Sequence, residues 1–250
     1  MFSASASTVS KLQLLAIIIA IIGSFSVDFT VSSVISTLLV FYIFNIVGIS
    51  ITLHRYYTHK SFEFRYTFIK YLFTFISMII SRGSPIGWVY IHRLHHAYSD
   101  TDKDPHSPVN LGFKLFGLKH IDNTSSNINK FIVKDLLNQE QLNFNKYYLL
   151  YVFSYILFLA IVNIQLVYFL WALPVVLVQI SQNSFNYFGH TFGYRNFETK
   201  DNSTNNILLF PFILGDAWHN NHHKNPALIS NKIKSYELDP AATIINIIKK

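Results

Sequence analysis

Long apolar runs, broken by polar stretches rich in histidine, set the pattern of this chain. About 20 mostly apolar residues suffice to cross the hydrocarbon core of a bilayer. Four stretches reach that length, at about 9–27, 31–53, 147–165 and 168–188. Charges are nearly absent inside them, as the cost of an ion in lipid demands. Short connections join the first to the second and the third to the fourth, which predicts two helical hairpins. A fifth apolar stretch, about 66–80, is shorter, contains Lys70 and is flanked by Arg65 and Arg82. It predicts an amphipathic helix lying at the membrane interface. The expected fold is an all-α integral-membrane protein of one domain, 1–250, with segments 54–146 and 189–250 forming a helical cap.

Composition supports lipid as the main solvent. Of 250 residues, 51% are apolar and 13% charged, against roughly 25% charged in an ordinary soluble domain. The net charge is +7, and its distribution carries more than its size. Twelve Lys and Arg lie from His54 to Lys146, seven follow Gly189, and Lys11 precedes the first apolar core. The two hairpin turns have none, and the first holds Asp28. This asymmetry places the cap and both termini on the cytoplasmic side of a multi-pass protein. The cations are spread between apolar segments, so nucleic acid is not an expected partner. Lys11 with the run behind it imitates a signal peptide, but a second span follows at once, and cleavage is not expected. The sequons Asn123-Thr124-Ser125 and Asn202-Ser203-Thr204 fall on the cytoplasmic side and are expected to stay unused.

The chain has no cysteine and eleven histidines. Disulfides and thiolate chemistry are excluded, and any metal must take nitrogen or oxygen ligands. Nine histidines cluster at four sites: His54 and His59, His92-Arg93-Leu94-His95-His96, His190, and His219-Asn220-Asn221-His222-His223. Residues three and four apart share a helix face, so each His-x-x-His-His can aim two or three imidazoles at one point. His54 and His59, five apart, lie roughly 140° apart on an α-helix; they bracket two metals, or the helix ends between them. Every cluster sits at or just past the end of an apolar segment, so one site at the membrane boundary can collect all nine. A single zinc needs three or four ligands, whereas nine give four or five to each of two metals. Imidazole suits iron, zinc, copper and nickel. The Glu-x-x-His pairs of soluble di-iron bundles and the His-Glu-x-x-His of zinc hydrolases are absent. Bis-histidine haem would leave seven unexplained.

At these residues, from about the second span to Pro226, the chain resembles the membrane fatty acid desaturases of the stearoyl type. His54-Arg55 with His59 is similar to their first histidine box. Gly87-Trp88, then His92-Arg93-Leu94-His95-His96, is similar to the second, and the run Asp100 to His106 to the acidic stretch after it. Trp218-His219-Asn220-Asn221-His222-His223 with Pro226 is similar to the third. Asn186 and His190, followed by Gly193-Tyr194-Arg195, resemble the Asn-x-x-x-His on the last span. The resemblance implies that His54, His59, His92, His95, His96, His190, His219, His222 and His223 ligate two irons, with Asn186 holding a metal-bound water. It implies four spanning helices under a cytoplasmic cap, and a narrow, bent tunnel for the acyl chain. O2 is then co-substrate, and two hydrogens leave adjacent methylenes of an acyl-CoA or acyl-lipid, giving a cis double bond near the chain's middle. With no cytochrome domain attached, electrons are expected from a separate b-type cytochrome or ferredoxin. The sequence departs from the family pattern at Asp216, often Glu, at Ala217, often Gly, at Lys224-Asn225, and along Asn110 to His120.

Methylene C–H bonds are beyond acid–base catalysis, so the protein's task is to position cofactor and substrate. Ligand imidazoles usually donate their second N–H to a carboxylate. Asp216, Asp100 and Asp104, with Asp102 in the same run, are candidates; capping or turn roles are the alternative. Arg55 and Arg93 read either as contacts to a phosphate-bearing head group or as ion pairs with these aspartates. Trp88 and Trp218 read as tunnel lining or as interfacial packing. His106 is expected near the metal rather than on it, and His120 to be incidental. The leading reading is an oxidoreductase, a fatty acyl desaturase that reduces O2 to water. The alternatives are a related di-iron acyl or lipid hydroxylase, and a non-enzymatic haem- or metal-binding membrane protein. A transporter would place its polar ligands near the bilayer midplane; here they gather at one edge.

Overall fold

Short polar residues decide where the helices begin. A computed structural model describes residues 4–116 and 129–250; His120 and the sequon at Asn123 lie outside the described residues. Ser5 accepts a hydrogen bond from the Thr8 amide and opens α1 (Ala6–Ser24), the usual service of an N-cap serine. Thr30 and Ser33 form a reciprocal capping box at the start of α2 (Val31–Thr58). Helix α3 (Thr67–Ile79) follows, then α4 (Pro85–Tyr98), capped by Ser84 with Pro85 in its first turn, where a missing N–H costs nothing. Asn138 caps α5 (Gln139–Lys146), which leads into α6 (Tyr148–Val162) and α7 (Ile164–Phe188). The C-terminal segment adds the short α8 (His219–Lys224) and α9 (Pro240–Ile248), capped by Asp239. Among the described residues there is no β-strand; isolated bridges such as Tyr194 to Asn205 link the loops of the cap.

Helices α1, α2 and α7 are each long and apolar enough to cross a membrane. Helices α5 and α6, bent by 56° where they meet, make a fourth candidate if counted as one span. These match the four apolar runs, with shifted ends. Helix α2 continues five residues beyond 53, so His54 lies on the helix rather than after it. The break between the last two runs is a single residue, Asn163, in extended conformation. Its side chain accepts from the Gln165 amide, which ends α6 and starts α7 at once. Helix α3 has 13 residues, about 20 Å of rise, short of the roughly 30 Å hydrocarbon core. Its Lys70 meets Glu140 on α5 at 3.0 Å.

Rows of apolar side chains face outward: Leu14, Ile18 and Ile21 on α1, Ile35 and Leu39 on α2, Leu157, Phe158 and Ile161 on α6. A water-exposed surface does not sustain apolar patches of this extent, and they fit a protein integral to the membrane. Inward, Leu12 and Ala16 of α1, Phe41 and Phe44 of α2, and Trp171, Val175 and Val178 of α7 share one core. The Trp171 indole donates to the Ile79 carbonyl at 3.1 Å, tying α7 to α3.

The second half of α2, Phe44–Thr58, is wound as a π-helix, in which bonds join residues five apart. Thr52 and Thr58 reinforce it by donating to the carbonyls of Val47 (2.6 Å) and Leu53 (2.7 Å), each five residues back. The His59 amide reaches the His54 carbonyl in the same register at 3.1 Å. The wider turn brings residues five apart onto the same side of the helix.

Candidate metal centre

The wider winding decides where the first two histidines point. His54 and His59 share one side of α2, with rings 4.9 Å apart, and both belong to the same cluster rather than straddling two. That cluster also holds His92, His96 and His222; a second holds His95, His190, His219 and His223. In each, one nitrogen per imidazole lies within 4.8 Å of every other. The Nε2 atoms of His54 and His222 are 3.0 Å apart, those of His222 and His96 3.0 Å, and those of His92 and His96 3.1 Å. In the second cluster the Nε2 atoms of His190 and His219 are 2.9 Å apart.

The two His-x-x-His-His runs divide their residues in opposite senses. On α4, His92 and His96 enter the cluster of five, and His95 the cluster of four. On α8, His219 and His223 enter the cluster of four, and His222 the cluster of five. Adjacent helical residues point about 100° apart, so His95-His96 and His222-His223 straddle the two clusters. The three imidazoles of each run therefore do not converge on one point. The resulting centre has two neighbouring nitrogen pockets that share two helices.

Burial is the main cause that pushes His92, His96, His219 and His222 well below the ordinary histidine range, with neighbouring imidazoles adding to it. It lowers His59 to about 2 and His223 to about 4. Neutral imidazole is the form that binds metal. The Nε2 atoms of His59 and His223 are buried and meet no hydrogen-bond partner among the described residues. A buried polar atom left so is costly, and a metal ion is the partner that nine converging imidazoles fit. The donor set thus suits a bound transition metal.

Carboxylates orient the rings from behind. Asp104 lies 3.0 Å from Nδ1 of His95, Asp100 3.0 Å from Nδ1 of His190, and Asp201 2.8 Å from Nδ1 of His223. Burial alone would raise the carboxyl of Asp104, yet the His95 contact holds it at about 2. Asp216 is 3.7 Å from Nδ1 of His54 and receives the Ser50 hydroxyl at 2.8 Å. Against its burial, the Arg55 charge keeps Asp216 below the usual carboxylate range. Asp102 is exposed and outside these contacts. Asp201 escaped the sequence reading because it lies 22 residues before its partner, within none of the boxes. Asn220 and Asn221, between the histidines of the last box, were also passed over. Asn220 accepts the amides of Asn196 and Phe197 at 2.9 Å, and Asn221 donates to Glu237 at 2.9 Å. Both amides pin α8 to the loops around it.

The flanking arginines are engaged by the protein. Arg55 is buried and pairs with Asp216 at 3.2 Å and Asp239 at 2.9 Å, joining α2 to the cap of α9. Arg93 pairs with Asp135 at 2.6 Å and donates to the Thr58 carbonyl. Trp218 is buried and donates to the Leu238 carbonyl at 2.8 Å. Trp88 stacks on His92, with ring centres 4.8 Å apart. It lines a cavity of about 230 Å3 with His54, His92, Phe185 and Asn186. Asn186 sits one turn before His190 on α7. His106 borders the same cavity, and with His95 and Asp104 forms a third, smaller metal-competent group.

Comparison with known proteins identifies the family. The profile described as fatty acid desaturase matches residues 31–246. The chain is 29% identical over 208 residues to delta-9 acyl-lipid desaturase 1 of Arabidopsis thaliana, covering 81% of this chain and 68% of that protein. It is 30% identical over 213 residues to the acyl-CoA C20 delta5-desaturase of Anemone leveillei, covering 81% and 66%. It is 28% identical over 217 residues to the sn-1 stearoyl-lipid 9-desaturase of Anabaena variabilis, covering 85% and 79%. The matched region spans about two thirds of the length of the two plant relatives.

Proposed function

Since the chain belongs to the fatty acid desaturase family, we propose that it is a membrane-bound acyl desaturase whose nine clustered histidines hold two irons. The observation that carries this is the division of the imidazoles into neighbouring groups of five and four. Two irons bound there supply the oxygen activation needed to remove hydrogen from unactivated methylenes. The remaining work falls to the protein. His54, His59, His92, His96 and His222 hold one ion; His95, His190, His219 and His223 hold the other, and Asn186 holds a water beside them. Asp104, Asp100 and Asp201 fix the rings of His95, His190 and His223, while Asp216 and Arg55 brace α2 behind His54. Trp88 and Phe185 narrow the cavity, excluding water and pressing a chain toward His54 and His92. Arg55 and Arg93 serve as struts, because their guanidiniums are occupied by carboxylates and carbonyls.

The substrate is a fatty acyl chain carried on CoA or on a lipid. The relatives include acyl-lipid and acyl-CoA desaturases with two double-bond positions, so the head group and the position are set by details of this chain. A cis double bond near the middle of the chain is the reading we adopt. Reducing equivalents come from a separate b-type cytochrome or ferredoxin that meets the cap on the cytoplasmic side. Fatty-acid profiling of a desaturase-deficient host tests this, with the donor co-expressed and a His95→Ala control. New unsaturated chains, absent from the control, are expected. Hydroxylated chains would point instead to a related hydroxylase. A profile equal to the control would contradict both.

A further inference from the structure

The cavity beside the metal centre is lined by a cation with no ion-pair partner among the described residues. Arg82, between α3 and α4, lines it. Its Nη1 is shielded from solvent and meets no hydrogen-bond partner among the described residues. Arg55 and Arg93 show what this chain does elsewhere with a shielded guanidinium: each receives a carboxylate. Burial lowers Arg82 to about 10, so it stays charged at neutral pH. Leaving a shielded donor of a charged group unpaired is costly, and an anion supplied from outside removes that cost.

The walls say what kind of anion. Gly83, Gly87, Ile91 and His92 line the same cavity; the first three are four apart, so they follow one side of the chain from just before α4 along the helix, and His92 is next to Ile91. That side is a track from Arg82 to the metal-side imidazole, roughly 12 Å along the helix from Ser84 to His92. Gly87 keeps it open, for a Cβ there would meet nothing closer than 3.8 Å. Val9 of α1 and Ile49 of α2 face it with apolar side chains, Trp88 adds apolar wall on α4, and Gln182 and Asn186 line it from α7. A track with apolar stretches of wall and a cation at one end suits a small anionic group on a hydrocarbon chain. We infer that Arg82 anchors the carboxylate of an unesterified fatty acid, whose chain lies along α4 towards His92 and competes there with the esterified substrate. This rests on reading the cavity as the acyl site.

The test is equilibrium binding of radiolabelled octadecanoic acid and octadecanol to the purified, metal-loaded protein. The two share a chain and differ in the charge of the head. Charge-assisted hydrogen bonds predict the acid to bind about ten- to a hundredfold tighter. Arg82→Gln should abolish the preference, and Arg82→Lys should retain part of it, with metal content reporting that both variants are folded. Equal affinity of the native protein for acid and alcohol would overturn the inference, as would a preference that survives in Arg82→Gln. Full displacement of the acid by millimolar acetate would also overturn it, because Arg82 would then hold only a small adventitious anion. Binding is read without turnover. A desaturase assay that fails beside acid-selective binding faults the catalytic reading alone, and turnover with equal binding faults this one alone.

Discussion

At the scale of single residues, the histidines were legible from where they fall: six lie three and four apart in two runs, and all nine sit at or just past the ends of apolar runs. The carboxylates behind them were legible only where they lie close in sequence. Asp104 and Asp100 follow the second box, and the fold returns them to His95 and His190. Asp201 reaches His223 across a loop, and no periodicity marks it. Losing the partner of a ligand imidazole typically costs ten- to a hundredfold in metal affinity. Asp201→Asn should therefore weaken metal binding by about that factor in a competitive chelator titration, and Asp102→Asn, exposed and uninvolved, should leave it unchanged. Arg55 offers a second check. Removing one member of a buried ion-pair network costs about 3–5 kcal/mol. Arg55→Ala should lower stability by that order in denaturant unfolding, since it strands Asp216 and Asp239 in the interior.

At the scale of elements, the apolar runs announced the helices but not their winding. A run that is apolar on every side, as along α2, has no polar stripe from which a period can be read. The spacing of His54 and His59 was therefore measured on an α-helix, and the π-winding that gathers them into one cluster came from the structure. The threonines that back-bond five residues away are its signature. Replacing both Thr52 and Thr58 by Val removes two hydrogen bonds of about 0.5–1.5 kcal/mol each. The double variant should unfold at lower temperature and bind metal more weakly, measured by calorimetry and metal content. The tie between α4 and the turn at 134–136 carries a pH signature. Arg93, against some burial and with help from Lys60, holds Asp135 below the usual carboxylate range. Its folded-state affinity for the proton is thus depressed. Its stabilisation is present above the unfolded-state value near 4 and is lost as pH falls through the folded value. Asp135→Asn should flatten the loss of thermal stability below about pH 4 relative to the native protein.

At the scale of the whole molecule, the outward apolar rows of α1, α2 and α6 and the polar cap divide the chain into a part for lipid and a part for chemistry. The centre sits where they meet, and only α4 and α8 supply both clusters. A metal held there would cross-link α2, α4, α8 and the segment just past α7 through imidazoles up to more than a hundred residues apart. Metal that binds only the folded state stabilises it by mass action, so chelation should lower the melting temperature, and re-addition of ferrous iron should restore it. The overall plan, all-helical among the described residues, with three or up to four helices of spanning length and the histidines drawn together, was legible in the sequence. The single-residue break at Asn163 and the division of each histidine run between two pockets were not, because both depend on how helices meet rather than on any one segment. The most direct test of the central claim is the iron content of the purified protein, measured per polypeptide beside His222→Ala and His219→Ala, one from each cluster. Two irons in the native chain and about one in each variant are predicted; one iron or none in the native chain, or a haem absorption band, would contradict it.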